Sequence, residues 1–413
     1  MAYRILSLDG GGAWALIEVL ALMDLYGDDT PGHEVLQQFD LVAANSGGSL
    51  VLGGLVENYR LSEILSLFKD DAKRQAIFSP THSLADKILH GITDLVNAGM
   101  GPKYNEEAKL PAIEMLLPKS GNKPLRDVAQ GIHGHSGEDV HLLVIGFDYD
   151  RNRAKFFRSK PAGQAGGALG EGAPSDLTLA EAIHASTNAP INYFDGPARY
   201  HSRNDRYWDG GITGCNNPVL AAVTEAICLQ KAPSDIVALS IGTGTVALPL
   251  AQPDQPKSPF YQPRSDTGLL ADVGKLAAAI LDDPPDMASF FAHVMTGAPA
   301  EFNADASSRI VRMNPLVSPL GTEGAWTPPG GFSLNQFGFL QNINMDAVKP
   351  IEISYIDSFA RAWIAGEARN QPIRMNGDTL QLELGDRWFA DAKSHWRDLA
   401  PRDAVAPGAG AGV

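Results

Sequence analysis

The chain has 413 residues, of which 44% are hydrophobic and 20% are charged, and its formal net charge at pH 7 is −15. This composition supplies enough apolar side chains for a large core, and it excludes disordered, collagen-like and coiled-coil chains. A disulfide scaffold is excluded by the presence of only two cysteines. The acidic balance, without a basic stripe, argues against nucleic acid as a partner.

Strand-like and helix-like segments alternate over the first part of the chain, and glycine-rich turns join them. Tyr3–Leu8 is predicted as a buried strand and 13–25 as a helix, followed by a second strand at 39–44 and a second helix at 49–59. This order is typical of right-handed βαβ units. We therefore predict an α/β fold with a mostly parallel central sheet and helices on both faces.

Later segments continue this pattern less regularly. An apolar helix face is predicted at Leu84, Ile88, Ile92, Leu95 and Val96. The remaining predicted segments are a strand at 140–147, a loop at 161–175, helices at 179–187 and 219–229, a strand at 236–241, a proline-rich loop at 249–264, and helices at 269–281 and 346–368. We divide the chain into an α/β domain at 1–250 and a helical, loop-rich extension at 251–413 packed on the same domain, with a flexible tail at 404–413.

Ser46 lies in the sequence ANSGG at 44–48, between a predicted strand and a predicted helix. A sharp turn at this point would raise the serine hydroxyl above the sheet at a helix N-terminus, which favours negative charge. Glycines beside the serine fit so tight a turn because a Cβ atom would clash there. The pattern resembles the G-x-S-x-G elbow with Ala44 as its first residue, although a serine among small residues is also common in ordinary turns.

Gly10, Gly11 and Gly12 form another glycine-rich turn between a strand and a helix. Consecutive glycines expose backbone N–H groups that can bind an anion. One such anion is a nucleotide pyrophosphate, since Gly10, Gly12 and Ala15 fit a dinucleotide fingerprint, but Asp9 would place a carboxylate beside the phosphates. The other is the oxyanion of an acyl-transfer reaction, for which one donor is worth roughly 10²–10³ in rate.

Asp209, in the sequence WDGG at 208–211, is the candidate base, because serine needs a group that accepts its proton during attack. In isolation an Asp-Gly pair indicates a simple turn. His293 and His395 follow Asp209 in the chain, so the residue order also permits a Ser-Asp-His triad.

Together, and in this order, the three motifs resemble the patatin-like phospholipase family. Four segments are each similar to a segment of that family, namely FDLVAANSGG at 39–48, ASTNAPINYF at 185–194, DGGITGCNNP at 209–218 and SIGTG at 240–244. The resemblance extends over residues 3–245, and its specificity lies in the combination. It implies the three-layer α/β architecture of the family.

The resemblance also implies a catalytic site that works without histidine, metal or cofactor. Ser46 would be the nucleophile and Asp209 the base of a Ser–Asp dyad, and the amides of Gly10, Gly11 and Gly12 would form the oxyanion hole. The residues expected near the substrate are Trp14, Asn45, Gly47 and Gly210. The implied activity is hydrolysis of acyl esters of lipids, such as phospholipids and lysophospholipids, during transient contact with a membrane surface.

One position departs from the family pattern. The family usually carries a basic residue followed by glycine after its DGGG-x segment, whereas this chain has Trp14 and Ala15. We therefore expect a preference for neutral or zwitterionic acyl esters over anionic ones.

Three other functions stay open at this point. They are an esterase with a Ser-His-Asp triad that uses His293 or His395, a nucleotide-binding protein that uses the glycine loop, and a catalytically silent module that binds a lipid or a partner.

The default location is the cytoplasm, because the N-terminus lacks the basic start, apolar stretch and cleavage site of a signal peptide. Attachment at a membrane and export without a signal are the alternatives. The sequence does not specify the oligomeric state.

Overall fold

A mostly parallel sheet forms the centre of the molecule. The computed structural model describes residues 2–79, 103–160, 176–190, 193–200, 205–252, 257–264, 267–297, 308–373 and 384–401. The strands of the main sheet are β1 (Tyr3–Leu8), β2 (Leu41–Asn45), β3 (His141–Asp148), β4 (Arg153–Arg158), β5 (Ala198–Tyr200), β6 (Asp205–Asp209), β7 (Ile236–Ile241) and β9 (Ile310–Met313). A separate parallel pair consists of β8 (Thr245–Val246) and β10 (Leu316–Val317).

The strand order of the main sheet is β5-β6-β3-β2-β1-β7-β9, and β4 pairs with β3 off this path. Strands β9, β7, β1, β2 and β3 are joined by parallel pairings, whereas β4 and β6 are antiparallel to β3, and β5 is antiparallel to β6. This mixed sheet confirms the predicted α/β class. Strands β1, β2 and β3 are buried along nearly their whole length, as expected for parallel strands covered on both faces.

Helices cover both faces of the sheet. Leu6 and Leu8 of β1 belong to one hydrophobic cluster with the first helices of the chain, and Tyr3 and Ile5 belong to a second cluster with the helix at 219–228. Successive side chains of a strand point to opposite faces, so this alternation places one cluster on each side of β1. The helices are α1 (Leu16–Tyr26), α2 (Gly32–Leu36), α3 (Ser46–Val56), α4 (Leu61–Lys69), α5 (Asp71–Ile77), α6 (Lys109–Leu116), α7 (Leu179–Thr187), α8 (Val219–Cys228), α9 (Leu269–Met295), α10 (Leu334–Leu340), α11 (Pro350–Ile364) and α12 (Phe389–Leu399).

The structure differs from the predicted segments mainly in the second half of the chain. Strand β9 was not predicted, and it pairs with β7, so the region 251–413 contributes to the central sheet. Helix α9 continues past the predicted end at 281 and contains Pro284 and Pro285. Its continuation is held by tertiary packing, since Ala288 and Ala292 are buried in the cluster against α8.

Smaller differences concern helix starts. The predicted helix at 13–25 begins with a 3₁₀ turn at Gly12–Ala15, and the predicted helix at 49–59 begins earlier, at Ser46. The apolar face at 84–96, the loop at 161–175 and the tail at 404–413 lie outside the described residues. None of the helices in the described ranges has both the length and the apolar character that crossing a bilayer requires.

The carboxyl ends of three parallel strands meet at one edge of the sheet. Leu8 at the end of β1 is in register with Ala44 of β2 and with Ile241 of β7. The glycine loop follows β1, and Ser46 follows β2. On the other side of β2, Asn45 is in register with Ile145 of β3, while the next residue of β3, Gly146, is opposite Asp209. The sheet therefore brings the candidate residues to one edge.

Candidate active site

Ser46 occupies a sharp turn between β2 and α3. Its φ angle is +45°, in the left-handed region that a side chain other than glycine rarely adopts. Such strain persists only where the surroundings hold it, and it is concentrated at functional sites. Here the Ser46 N–H donates to Ser186 Oγ at 2.9 Å, and the Ser49 hydroxyl donates to the Ser46 carbonyl at 2.6 Å.

The glycines after Ser46 are required by close approach of the backbone. A Cβ atom on Gly47 would lie 2.5 Å from the carbonyl oxygen of Gly12, and one on Gly48 would lie 2.6 Å from that of Leu8. Real Cβ atoms do not come so close. The small residues of the motif therefore allow the elbow to pack directly on the glycine loop.

Asp209 is the last residue of β6 and is only 5% exposed. Its Oδ1 accepts the N–H of Gly211 at 2.8 Å and Nδ2 of Asn45 at 3.3 Å. Burial raises the pKa of Asp209, and the nearby Ser46 side chain is foremost among the groups that oppose this shift. Ser46 and Asp209 both line the same cleft at this edge of the sheet.

The glycine loop lies against the elbow. A Cβ atom on Gly10 would lie 3.0 Å from the Cβ of Ser46. The Gly10 N–H already donates to the Asn216 carbonyl at 2.8 Å, and the Gly10 carbonyl accepts the Thr243 hydroxyl at 2.7 Å. The Gly10 amide is therefore engaged within the protein, whereas the prediction names all three amides as oxyanion donors.

The amides of Gly11 and Gly12 differ from that of Gly10 in their hydrogen bonding. Within the described chain, neither the Gly11 N–H nor the Gly12 N–H donates a hydrogen bond. Gly12 has φ of +57°, and a Cβ atom there would lie 2.3 Å from the Met345 carbonyl oxygen. Glycine is therefore required at position 12 both for its backbone conformation and for space.

A cleft of about 790 Å³ contains the candidate residues. Ser46, Asp209, Gly10 and Gly11 line it, and this volume lies within the usual range for sites that bind small molecules. Its walls are mainly apolar. Side chains from several elements supply this surface, including Phe147, Tyr149, Trp208, Ile212, Val246 and Ile280.

Of the four residues predicted to lie near the substrate, Trp14 lines this cleft, whereas Asn45, Gly47 and Gly210 do not. Trp14 is 9% exposed and donates its indole N–H to the Asn344 carbonyl at 3.3 Å. Asn45 is fully buried between Asp209 and Asn216. Gly210 packs against Asn45, because a Cβ atom on it would lie 2.5 Å from Asn45 Oδ1.

The two histidines of the triad hypothesis have other partners. His293 Nδ1 lies 2.8 Å from Ser308 Oγ, and His395 Nδ1 lies 3.0 Å from Asp386 Oδ2. No histidine occurs among the described residues that line the cleft. The geometry therefore gives no support to a Ser-His-Asp arrangement. In the same described ranges, no group of three or more His, Cys, Asp or Glu side chains is placed to hold a metal ion.

Several residues at the site were not singled out by the sequence analysis. Ser186, Asn216 and Thr243 contact the elbow or the glycine loop, and each lies in a segment that carried the family resemblance. Arg312 also lines the cleft. It lies beyond those segments, and no sequence pattern marked it.

A buried ionisable cluster lies behind Asp209. Lys109 is 1% exposed, its Nζ donates to the Thr187 carbonyl at 2.5 Å, and burial lowers its pKa well below the usual value. Burial raises the pKa of Glu106 to about 7, and burial with the nearby Lys109 charge lowers the pKa of His184 to about 3. The charge of Lys109 also lowers the pKa of Asp209.

Comparison with known proteins agrees with the resemblance seen in the sequence. The chain is 23% identical over 253 residues to an intracellular phospholipase A2 of Caenorhabditis elegans, a match that covers 59% of this chain and 20% of the relative. The chain thus spans one fifth of that relative's length.

Among solved structures, VipD from Legionella pneumophila is similar with a TM-score of 0.32 and 11% identity over 87% of this chain and 66% of VipD. Human GIVD cytosolic phospholipase A2 gives a TM-score of 0.26 and 12% identity over 45% of this chain and 28% of that protein.

A family model described as patatin-like phospholipase matches residues 6–223, which is more than half of the chain. The chain therefore belongs to the patatin-like phospholipase family.

Proposed function

We propose that the protein is a serine acyl hydrolase that releases fatty acids from phospholipids, lysophospholipids or related acyl esters. The observation that carries this proposal is that the strained Ser46 and the buried Asp209 line one cleft, which the glycine loop borders. Membership of the family supports a lipid as the substrate.

In the acylation step, Ser46 Oγ attacks the ester carbonyl carbon while Asp209 takes the hydroxyl proton. The carbonyl oxygen becomes an oxyanion, which the N–H groups of Gly11 and Gly12 would bind. The tetrahedral intermediate then collapses, and the proton on Asp209 passes to the leaving alkoxide. An alcohol is released, and the acyl group stays on Ser46 as an ester.

In the deacylation step, water takes the place of the leaving alcohol. Asp209 accepts a proton from this water as its oxygen attacks the acyl-enzyme carbonyl, and the oxyanion forms at the same site. Collapse breaks the bond to Ser46 Oγ, which regains its proton from Asp209. The fatty acid leaves, and each step uses only groups of the chain and water.

The dipole of helix α3 supports these roles. Ser46 is the first residue of α3, whose eleven residues direct a positive dipole end toward the developing negative charge. Positioned proton transfer by Asp209 is worth about 10²–10⁴ in rate, and each oxyanion donor about 10²–10³.

The cleft also suits an acyl chain. Most of its walls are apolar, and three large side chains at the lining are substantially exposed, namely Tyr149 at 45%, Val246 at 48% and Ile280 at 41%. Exposed apolar residues around a polar reaction centre are typical of a site that takes its substrate from a lipid phase.

A lipid digest tests the proposal. Wild-type protein and Ser46→Ala are incubated with phosphatidylcholine and lysophosphatidylcholine vesicles, and released fatty acids are quantified by mass spectrometry. Ser354→Ala, an exposed serine on α11, is the matched control. We expect release by wild type and the control, and loss of release in Ser46→Ala.

Asp209→Asn extends the test to the base, with Asp28→Asn at an exposed turn as its control. We expect Asp209→Asn to lower kcat on a short chromogenic ester by about 10²–10⁴, and a fluorophosphonate to label wild type but not Ser46→Ala. Full turnover in Ser46→Ala would reject the assignment. Binding of NAD or FAD without fluorophosphonate labelling would instead favour the nucleotide-binding hypothesis.

A further inference from the structure

Arg312 of β9 contacts Asp9, the residue that directly precedes the glycine loop. Its Nη2 lies 2.6 Å from Asp9 Oδ2, and its Nη1 donates to Ser240 Oγ at 2.8 Å. Strand β9 places Arg312 in register with Ser240 of β7, next to β1. The side chain is 3% exposed, so the ion pair is shielded from solvent.

The charge of Asp9 is a problem for the proposed reaction. Asp9 directly precedes Gly10, and an unpaired carboxylate at this position would repel an oxyanion bound at the following amides. A second buried carboxyl group, Glu18 of α1, lies close enough to Asp9 for their charges to interact. Arg312 is the cation paired with Asp9, and it makes the region under the loop less negative.

The ion pair between Arg312 and Asp9 also restrains the start of the glycine loop. The guanidinium is planar and offers donors in a fixed fork, so contacts to both Asp9 and Ser240 restrict the position of Asp9. Burial raises the pKa of Asp9 to about 6, and Arg312 opposes this shift. A buried carboxylate that keeps its charge in this way depends on its partner.

The region 251–413 makes two more contacts, with the two residues that directly follow the glycine loop. The Ala13 N–H donates to the Met345 carbonyl at 2.8 Å, and the indole of Trp14 donates to the Asn344 carbonyl. Trp14 occupies the position where the family usually has a basic residue. In this chain the cation next to the loop comes instead from β9, outside the segment 6–223 that matches the family model.

We propose that Arg312 is a positioning residue for the acyl transfer, because its ion pair with Asp9 neutralises that carboxylate and holds Gly11 and Gly12 in the conformation that receives the oxyanion. This inference rests on the proposed function. It assigns to the region 251–413 a part in catalysis that does not involve contact with the substrate's reacting atoms.

The test compares Arg312→Met, Arg312→Lys and the double variant Asp9→Asn/Arg312→Met, with Arg361→Met on α11, an exposed arginine paired with Asp357, as the control. For each we measure kcat and KM on a short chromogenic ester, the rate of fluorophosphonate labelling and the melting temperature. We expect Arg312→Met to lower kcat about 10²-fold with KM changed less than about threefold. Arg312→Lys should retain more activity, since it keeps the charge.

The double variant removes both buried charges, a change that often leaves stability intact. We expect it to fold and to recover part of the kcat lost in Arg312→Met, because the repulsive carboxylate is gone. A role in stability alone would lower the melting temperature without this recovery. Wild-type kcat in folded Arg312→Met would overturn the inference. If Arg312→Met does not fold, wild-type kcat in the double variant would overturn it, because the loop would then receive the oxyanion without the ion pair.

Failure of this inference differs from failure of the proposed function. If Ser46→Ala keeps wild-type turnover, the proposed function is wrong, and Arg312 has no acyl transfer to assist. If turnover depends on Ser46 while every Arg312 variant keeps wild-type kcat, only the role of Arg312 is wrong.

Discussion

Asn45 and Asp209 lie at the ends of two strands that do not pair with each other, yet Asn45 Nδ2 lies 3.3 Å from Asp209 Oδ1. Strand β3 separates β2 from β6 in the sheet. The same Oδ1 accepts the Gly211 N–H, so two donors hold one oxygen of the carboxylate. The position of this carboxylate is therefore fixed by the protein before any substrate arrives.

Replacing Asn45 by Asp tests this relationship. The new carboxylate would lie beside Asp209 in place of a donor, and like charges in a shared site raise the pKa of one of them. Because the base must be ionised to accept the serine proton, we expect the acidic limb of the kcat/KM profile to move to higher pH in Asn45→Asp. Asn45→Ala, which removes the donor without adding charge, should shift the limb less. An unmoved limb in Asn45→Asp would contradict the assignment of Asp209 as base.

The wild-type profile carries a prediction of its own. Burial raises the pKa of Asp209 above its usual 3.8, while contacts from Ser46, Gly211 and Asn45 and the charge of Lys109 oppose the shift. The ionised form is therefore lost as the pH falls through a value above 3.8. We expect kcat/KM on a short ester to decrease toward acid pH with an apparent pKa above 3.8.

Two neighbouring groups could titrate in the same window, and variants separate them from Asp209. The pKa of Asp9 is raised to about 6 and that of Glu106 to about 7, in both cases mainly by burial. The acidic limb should persist in Asp9→Asn and in Glu106→Gln, measured between pH 4 and 9. Its disappearance in either variant would assign the limb to that residue instead.

The elements that the sequence predicts well are those with a strong local pattern. Strands Tyr3–Leu8 and Ile236–Ile241 and helix Leu179–Thr187 have the predicted bounds. Strand β9 was missed because it has only four residues and no flanking glycine turn, and its pairing with β7 is visible only in three dimensions. Helix α9 passes through Pro284 and Pro285, which are usually read as a stop.

The same limit applies to the site. Ser46, Asp209 and the glycine loop lie in short motifs whose combination, in one order, resembles the family, so the sequence predicts them as the candidate site. Arg312 contacts Asp9 across 303 positions of the chain, and nothing near it in sequence indicates that contact. The engaged amide of Gly10 is likewise a property of the folded loop and its partner Asn216.

Gly12→Ala tests the geometry of the glycine loop. Gly12 and Gly131 both have positive φ, of +57° and +82°, so alanine at either position costs about 1–2 kcal/mol of unfolding free energy. At Gly12 the added Cβ would also lie 2.3 Å from the Met345 carbonyl oxygen, whereas at Gly131 nothing lies within 4 Å. We expect Gly12→Ala to be the less stable variant in urea unfolding, and to be labelled by a fluorophosphonate roughly 10²-fold more slowly than wild type. Equal stability and labelling in the two variants would show that the loop can move away from Met345 at no cost.

Trp14→Arg tests whether the residue beside the glycine loop sets the preference for lipid charge. Trp14 packs on Gly244, where a Cβ would lie 3.6 Å from the indole ring, and it contributes no charge to the cleft. An arginine there would add a cation near the headgroup, worth about 1 kcal/mol for an anionic group a few ångströms away in a well-solvated cleft, or about fivefold. We therefore expect Trp14→Arg to raise the ratio of hydrolysis of phosphatidylglycerol to that of phosphatidylcholine about fivefold in matched vesicles. Trp14→Phe, which removes the indole N–H bond to Asn344 without adding charge, should leave the ratio at the wild-type value. A ratio in Trp14→Arg equal to that of wild type would mean that position 14 does not select the headgroup, and the preference would then have to come from other residues of the cleft wall.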